Sequence, residues 1–287
     1  MPSRTRPHTF AATNPKRMNT KEVNKILGIH PDLVDREFPS DGRTFHLMSE
    51  ATTSEWRDSE DQPERWYHLG LSHIEKGNIE LGKRFLKAAY KLGNAGAGND
   101  YAYGLTHGWF GERDYDTAVS IFRNLARKGD RNAMNNYAFA YLDGLGVKKN
   151  LHLAEHWLMK AIEKGNTDSA VSYAQLTFDR VFRNASWNLA IWLCFWAADS
   201  GNAGAMNELG LFYEETFSMV RDWNKAYKWF RKSVEHGGGA CAEFNLSRCY
   251  RYGIGVEVND ETADAWQNLA IEHGFDIEAY NKLYDLR

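Results

Sequence analysis

The chain has 287 residues, of which 43% are apolar and 25% are charged, and its formal net charge is −3. This is the composition of a globular protein that buries a sizeable core. The small net charge argues against a nucleic-acid binder, and the absence of an apolar run of 18 residues argues against a membrane span. The three cysteines have no CxxC spacing, which argues against a disulfide framework or a zinc site and favours a reducing compartment.

The first 65 residues fall into two segments that differ in charge. Residues 1–20 contain four basic residues and no acidic one, and no apolar segment follows, so they do not form a secretory signal. We expect a disordered basic tail here, with an organellar transit peptide as the alternative. Residues 21–65 are acidic and are interrupted by Pro31 and Pro39. They predict an irregular N-terminal segment that either caps the following domain or docks a partner, and the sequence leaves both open.

From Trp66 to Gly274 the chain repeats a pattern about every 36 residues. A small residue, a large apolar residue three positions later and, in most periods, another small residue seven positions later lie on one face of a helix. Eleven residues after the first small residue comes a glycine, for which we predict a positive φ at the helix end. The first small residues are Gly82, Ala118, Ala154, Ala190, Ala226 and Ala263, and the glycines are Gly93, Gly129, Gly165, Gly201, Gly237 and Gly274.

The other half of each period predicts a second amphipathic helix, which is joined to the first by a loop that twice reads GxGV. Small residues allow two helices to approach closely while a tryptophan or tyrosine fills the adjacent gap. Because one such hairpin cannot bury its apolar face alone, neighbouring hairpins are expected to stack. The sequence therefore predicts six helix hairpins and a C-terminal capping helix, with boundaries 66–93, 94–129, 130–165, 166–201, 202–237, 238–274 and 275–287.

This pattern resembles that of Sel1-like repeat proteins, which are relatives of the tetratricopeptide family. The third repeat matches it best, at Ala133, Tyr137, Ala138, Tyr141, Gly144, Gly146, Val147, Ala154, Trp157, Ala161 and Gly165. The resemblance covers about three quarters of the chain. It implies an all-α fold, namely an α-solenoid (a right-handed superhelix) with an irregular N-terminal cap. It also implies an adaptor or scaffold that has no catalytic residues and needs no cofactor.

Repeats four and five depart from the pattern. Their loops replace the glycines with large residues, among them Phe182, Phe217 and Met219. We interpret these as packing between repeats, with a partner surface as the alternative. The stretch 187–196 contains three tryptophans, for which core packing is the favoured interpretation and an aromatic binding platform the alternative. Cys241 and Cys249 are also interpreted as small core residues.

A partner is expected on the concave face of the solenoid, which one helix of each hairpin lines. If the positions 4, 5, 8, 9 and 12 after each glycine are buried, the positions 6, 10 and 13 face away from the core. Large apolar residues there suggest anchors for a protein or peptide, and two arginines near one end suggest contact with a carboxylate. The predicted binding residues are Tyr103, Thr106, Asn135, Phe139, Leu142, Gln175, Phe178, Asn207, Leu211, Glu214, Arg248 and Arg251, with Phe244 on the same stripe.

One constellation suggests metal chemistry. His152, Glu155 and His156 match the H-x-x-E-H pattern of one class of zinc peptidases. However, Ala154 within it is the packing alanine of the repeat, so the helix exists for another reason. We therefore interpret the histidines as exposed or capping residues and expect no metal site, with a metal-dependent hydrolase as the alternative.

The resulting hypothesis is a non-catalytic scaffold or adaptor in a bacterial cytoplasm, which binds another protein or peptide and neither nucleic acid nor membrane. The family resemblance adds a second hypothesis, an immunity protein that binds and occludes a toxin.

Overall fold

The computed structural model describes residues 62–214 and 221–283. Within these ranges the chain forms thirteen α-helices and no strand. The predicted basic tail and nearly all of the predicted N-terminal cap lie outside the described residues. The helices are α1 (Gln62–Glu75), α2 (Ile79–Lys91), α3 (Ala95–His107), α4 (Tyr115–Arg127), α5 (Arg131–Asp143), α6 (Leu151–Glu163), α7 (Thr167–Phe178), α8 (Trp187–Asp199), α9 (Ala203–Glu214), α10 (Trp223–Glu235), α11 (Gly239–Tyr252), α12 (Asp260–Glu272) and α13 (Ile277–Leu283).

The helices alternate as the first and second helix of each predicted repeat. The odd-numbered helices from α1 to α11 are first helices, and the even-numbered helices that follow them are second helices. The chain divides into two compact units, unit 1 up to Leu125 and unit 2 from Ala126 onward. In unit 1, α1 packs on α2 and α2 on α3; in unit 2, each helix from α5 to α11 packs on the next. This sequential packing confirms the all-α solenoid of stacked hairpins.

The small residues of the second helices lie at the closest approaches between helices. Ala118, Ala154, Ala190, Ala226 and Ala263 are all fully buried. Glycine serves the same purpose in α9, because a Cβ at Gly210 would overlap the Phe230 ring of α10. Large side chains fill the remaining space, since Leu158 and Phe230 are also fully buried. The spacing of small and large residues thus produces closely packed hairpins within each unit.

The glycines that end the second helices take the predicted conformation. All six have a positive φ, between 80° and 103°, where a side chain would be strained. A glycine also ends the first helix in repeat three, where Gly144 has a φ of 76°. Repeat four has Arg180 at the same position, with a φ of 58°. A non-glycine residue in this left-handed region costs about 1 kcal/mol.

Asparagines that follow these glycines begin the next repeat and tie it to the preceding one. The side chain of Asn166 caps α7 by accepting a hydrogen bond from the Ser169 amide at 2.7 Å. Its own amide nitrogen donates to Asn132 Oδ1 of the preceding repeat at 2.9 Å. Asn202 repeats the arrangement one period later and donates to Asp168 Oδ1 at 2.8 Å. Each cap therefore also fixes how two hairpins of unit 2 meet.

Three expectations about individual residues have mixed outcomes. Phe182 of the repeat-four loop is buried in the main core of unit 2, as its packing interpretation predicts, whereas Phe217 and Met219 lie outside the described residues. Core packing is wrong for Trp192, whose side chain is 61% exposed. It is also wrong for Cys241, which is exposed because it lies near the start of α11, on the side away from its neighbours.

Candidate partner surface on the first helices

In unit 1, the predicted binding residues lie in the last turns of α3. Tyr103 is 40% exposed, and its ring stacks on His107 with centroids 3.9 Å apart. Trp109, which is 43% exposed, meets Tyr103 edge to face at 5.3 Å. The Thr106 hydroxyl donates to the Tyr103 carbonyl oxygen at 2.7 Å and so serves its own helix. The result is a small exposed aromatic cluster whose rings hold one another in place.

In unit 2, the exposed aromatic residue of this stripe is Phe139 on α5, at 37%. Phe178 on α7 is half-buried, because its ring packs against Trp187 at 5.2 Å and against Phe212 of α9 at 6.3 Å. Leu211 of α9 is half-buried against the core around Phe230. Each of these side chains exposes part of its apolar surface, and the remaining part packs within the protein.

Two of the predicted anchors are not on the surface. Leu142 is only 6% exposed and belongs to the main core of unit 2, and Phe244 is equally buried. The Phe244 ring stacks on Phe275 with centroids 4.1 Å apart and also contacts Tyr280 of α13. The prediction that these positions face away from the core is wrong. The reason is that the last turns of these first helices pack against the next element. The positions counted from each glycine do not take this contact into account.

Polar residues predicted for the partner instead join neighbouring repeats. Asn135 accepts a hydrogen bond from the Ser169 hydroxyl at 2.8 Å, and Gln175 donates to Glu208 at 2.9 Å. Asn207 is 9% exposed and accepts from the Asn245 amide at 2.9 Å. A buried amide left without a partner would cost about 1–3 kcal/mol. This burial removes Asn207 from the exposed part of the stripe, whereas Gln175 remains exposed.

The two predicted arginines already contact carboxylates within unit 2. Arg248 of α11 forms two hydrogen bonds with the Glu214 carboxylate of α9, one of them at 3.2 Å, and their side chains are 22% and 15% exposed. Arg251 contacts Asp260, at 3.3 Å, and Asp264, both in the second helix of its own repeat. Arg251 thus stabilises its own hairpin, while the Glu214–Arg248 pair remains partly accessible.

The histidine pair of the H-x-x-E-H pattern lies on the outer side of α6. His152 and His156 are exposed, and the Glu155 carboxylate lies 3.5 Å from the Tyr173 hydroxyl. Over residues 62–214 and 221–283, no three or more His, Cys, Asp or Glu side chains are grouped so that they could hold a metal ion.

The buried cysteines are chemically unlike reactive thiols. Burial, with a smaller effect of Glu208, raises the pKa of Cys194 to about 12. Burial, with a smaller effect of Glu214, raises the pKa of Cys249 to about 12 as well. Both thiols therefore stay protonated at neutral pH and act as small core residues.

Stacked hairpins, buried small residues and glycine-ended second helices define a helical repeat protein. A family model for the Sel1 repeat matches residues 65–94, 97–130, 131–166, 203–238 and 242–275, which together make up more than half of the chain. The chain therefore belongs to the Sel1 repeat family. The fourth hairpin, 166–201, is outside the matched ranges although it folds as α7 and α8.

Solved structures share the fold. A Sel1 repeat protein from Oxalobacter formigenes has a TM-score of 0.62 and 26% identity over 78% of this chain and 66% of its own. A protective antigen from uropathogenic Escherichia coli has a TM-score of 0.55 and 24% identity over 77% of this chain and 48% of its own. An immunity protein from Pseudomonas aeruginosa has a TM-score of 0.56 and 20% identity over 74% of this chain and 82% of its own. This chain thus spans just under two thirds of the first protein and about half of the second.

No helix within the described ranges is both long and apolar enough to cross a bilayer.

Proposed function

We propose that the chain is a non-catalytic interaction scaffold that binds a protein or peptide on the first helices of its repeats. One observation carries this proposal: Tyr103 and Phe139 occupy the same position, ten residues after the glycine that precedes their helix, and both rings are exposed. Both residues keep more than a third of their surface exposed, which leaves ring area for a partner to cover. Aromatic side chains of this kind are frequent anchors of protein interfaces.

Polar groups on the first helices of unit 2 support this role. Gln175, at the same repeat position in α7, is exposed while its amide is held by Glu208. The partly accessible Glu214–Arg248 pair presents charges of both signs in a fixed orientation. Side chains that are held in place lose less entropy on binding, so they favour a specific partner over a nonspecific one.

Pull-down with the full chain as bait tests the surface. Wild type is compared with Phe139→Ala and with a triple variant in which Tyr103, Phe139 and Phe178 are alanine. The control is Ile271→Ala, which removes an apolar side chain, 43% exposed, from the second helix α12. We expect recovery of the specific partner to fall about tenfold in the triple variant, as the loss of a few anchors would produce. Unchanged recovery with unchanged helicity would contradict the proposal.

The partner decides between an adaptor and an immunity protein. Two structures with the same fold are named immunity proteins of Pseudomonas aeruginosa, at 20% and 17% identity and over 82% and 90% of their lengths. They support the immunity hypothesis by likeness of fold. Expression together with the product of an adjacent gene distinguishes the two roles. Rescue of growth from that product supports immunity, and a complex without any effect on growth supports an adaptor.

The non-catalytic part of the proposal is tested by metal analysis. We expect the purified chain to contain far less than one zinc ion per molecule, because His152 and His156 have no third ligand grouped with them among the described residues. Stoichiometric zinc that is lost in a His152→Ala variant would instead support the hydrolase alternative.

A further inference from the structure

We propose that unit 2 carries a second docking surface, on the second helices α8 and α10, that binds an acidic amphipathic helix of a partner protein. This goes beyond the proposed function, because the surface lies on other helices than the first-helix surface and takes a partner of defined charge. Its centre is α8, in which Asp199, the last residue, is the only charged residue.

The outer face of α8 exposes large aromatic side chains. Trp192 is 61% exposed and Phe195, one turn later, is 38% exposed. Trp187 at the start of the helix is also 38% exposed. The opposite face packs normally, since Ala190, Leu193 and Ala197 are buried. The exposed rings are therefore additional to what the fold requires of α8.

Neither of these two positions holds phenylalanine, tyrosine or tryptophan in any other repeat. Two residues after the first small residue, where repeat four has Trp192, the other repeats have Arg84, Ser120, His156, Lys228 and Ala265. Five residues after it, where repeat four has Phe195, they have Lys87, Arg123, Met159, Arg231 and Asn268. Because five repeats fold without phenylalanine, tyrosine or tryptophan at these positions, the packing of the repeat does not explain Trp192 and Phe195.

The apolar surface continues from α8 to α10. Phe195 meets Trp229 of α10 edge to face, with ring centroids 6.0 Å apart. Trp229 is half-buried and packs against the main core of unit 2. Phe195 and Trp229 are in contact, and Trp192 lies one turn before Phe195 on α8. We call these three rings the α8 strip.

Cationic side chains of α10 lie beside the α8 strip. The Lys232 ammonium lies 5.0 Å from the centroid of the Trp229 ring, and Lys228 is exposed one turn earlier. The carboxylates of α8 and α10 are confined to their last residues, Asp199 and Glu235, and Glu235 is held by Arg231 at 2.9 Å.

This pattern of charge selects the occupant. Apolar rings beside the lysines of α10 complement a helix that has apolar residues on one face and carboxylates next to them. A second copy of this chain is disfavoured, because it would bring lysines against lysines around the same rings.

The test uses two labelled helical peptides of about 18 residues. Both carry leucine and tryptophan on one face, and the remaining positions are glutamate in one peptide and lysine in the other. Fluorescence anisotropy measures their binding to the full chain in low and high salt. We expect the acidic peptide to bind at least about tenfold more tightly than the basic one and to weaken with salt. Sedimentation velocity should show that the chain does not self-associate through the strip.

A double variant combines Trp192→Lys with Phe195→Arg, which are the residues that α10 has at the same repeat positions. We expect this double variant to lose at least about tenfold in affinity for the acidic peptide. The control Tyr252→Ala removes a ring that is 67% exposed elsewhere in unit 2, and its affinity should stay within about twofold of wild type. Circular dichroism checks folding, and Phe195→Arg alone serves if the double variant is not helical.

Four results would overturn the proposal. The chain could bind both peptides equally or bind neither of them. The double variant could keep the wild-type affinity for the acidic peptide, or the chain could form a dimer that dissociates in the Trp192→Lys variant. The last would assign the strip to a second copy of the chain. Because Trp192→Lys and Phe195→Arg both lie on the second helix α8, none of these results bears on the proposed scaffold function.

Discussion

Repeats three and four of unit 2 have nearly the same interior and very different exteriors. Their second helices bury Ala154 and Ala161 in repeat three and Ala190 and Ala197 in repeat four, at matching positions. On the outside, His156 of repeat three corresponds to Trp192 of repeat four, and both are exposed. The loops differ too, since Gly146 of repeat three is replaced by the buried Phe182.

The comparison shows which positions packing determines. Where a helix meets its neighbour, a small residue is required, so the family pattern persists even in the hairpin that the family model does not match. Where a residue faces solvent, packing sets no requirement, and any departure toward large apolar residues needs another explanation. The exposed rings of α8 are such a departure. Phe182 is not, because it replaces the loop glycine of repeat three with a side chain that packs in the core.

The largest expected difference concerns thiol reactivity. Cys194 of repeat four and Cys249 are buried with pKa values raised to about 12, whereas Cys241 is exposed. We expect the native protein at pH 8 to have one thiol that reacts with a disulfide reagent and two that react at least about a hundredfold more slowly, because the thiolate is the reacting form. All three should react after denaturation. Fast reaction of Cys194 in native protein would contradict its burial.

Phe182→Ala should produce the largest change in stability. Its ring is 6% exposed and lies 5.7 Å from the Tyr173 ring, centroid to centroid. Removing a buried phenylalanine costs about 3–5 kcal/mol of the free energy of unfolding. Urea denaturation followed by circular dichroism measures it. A loss below about 1 kcal/mol would mean that the repeat-four loop does not pack as described.

Arg180→Gly should stabilise the protein, which is unusual for a substitution to glycine. Arg180 has a φ of 58° where repeat three has a glycine with a φ of 76°. Relief of the left-handed strain favours glycine by about 1 kcal/mol, and the greater entropy of glycine in the unfolded chain offsets part of it. We expect a net gain of about 0.5 kcal/mol in urea denaturation. The control Gly144→Arg in repeat three should lose stability instead; a loss in both variants would refute the strain at Arg180.

Trp192→Lys should have the smallest effect on stability. A side chain that is 61% exposed contributes little to the core, so we expect the free energy of unfolding to change by less than about 0.5 kcal/mol. The same urea denaturation measures it, with Leu158→Ala as the contrast, since that side chain is fully buried. A loss of about 2 kcal/mol from Trp192→Lys would show that the ring is structural and would remove the basis of the α8 strip.

The sequence predicts the fold well because its strongest signal, small residues at fixed spacing, is set by contacts within one hairpin. The surface is harder to predict, because its exposure depends on the neighbouring element. Counting positions from each glycine treats every first helix alike, so it does not predict that Leu142 and Phe244 are buried. It also misses that Asn207 is needed by the next repeat. The asparagine after the glycine in three of the periods was a readable signal of those bonds between repeats.

Hydrogen exchange of the full chain with and without its captured partner tests the central claim most directly. If the first helices form the binding surface, peptides from α3 and α5 that contain Tyr103 and Phe139 will exchange more slowly in the complex. Additional slowing in α8 would agree with a second docking surface. Unchanged exchange in both α3 and α5, with protection only in other helices, would contradict the account.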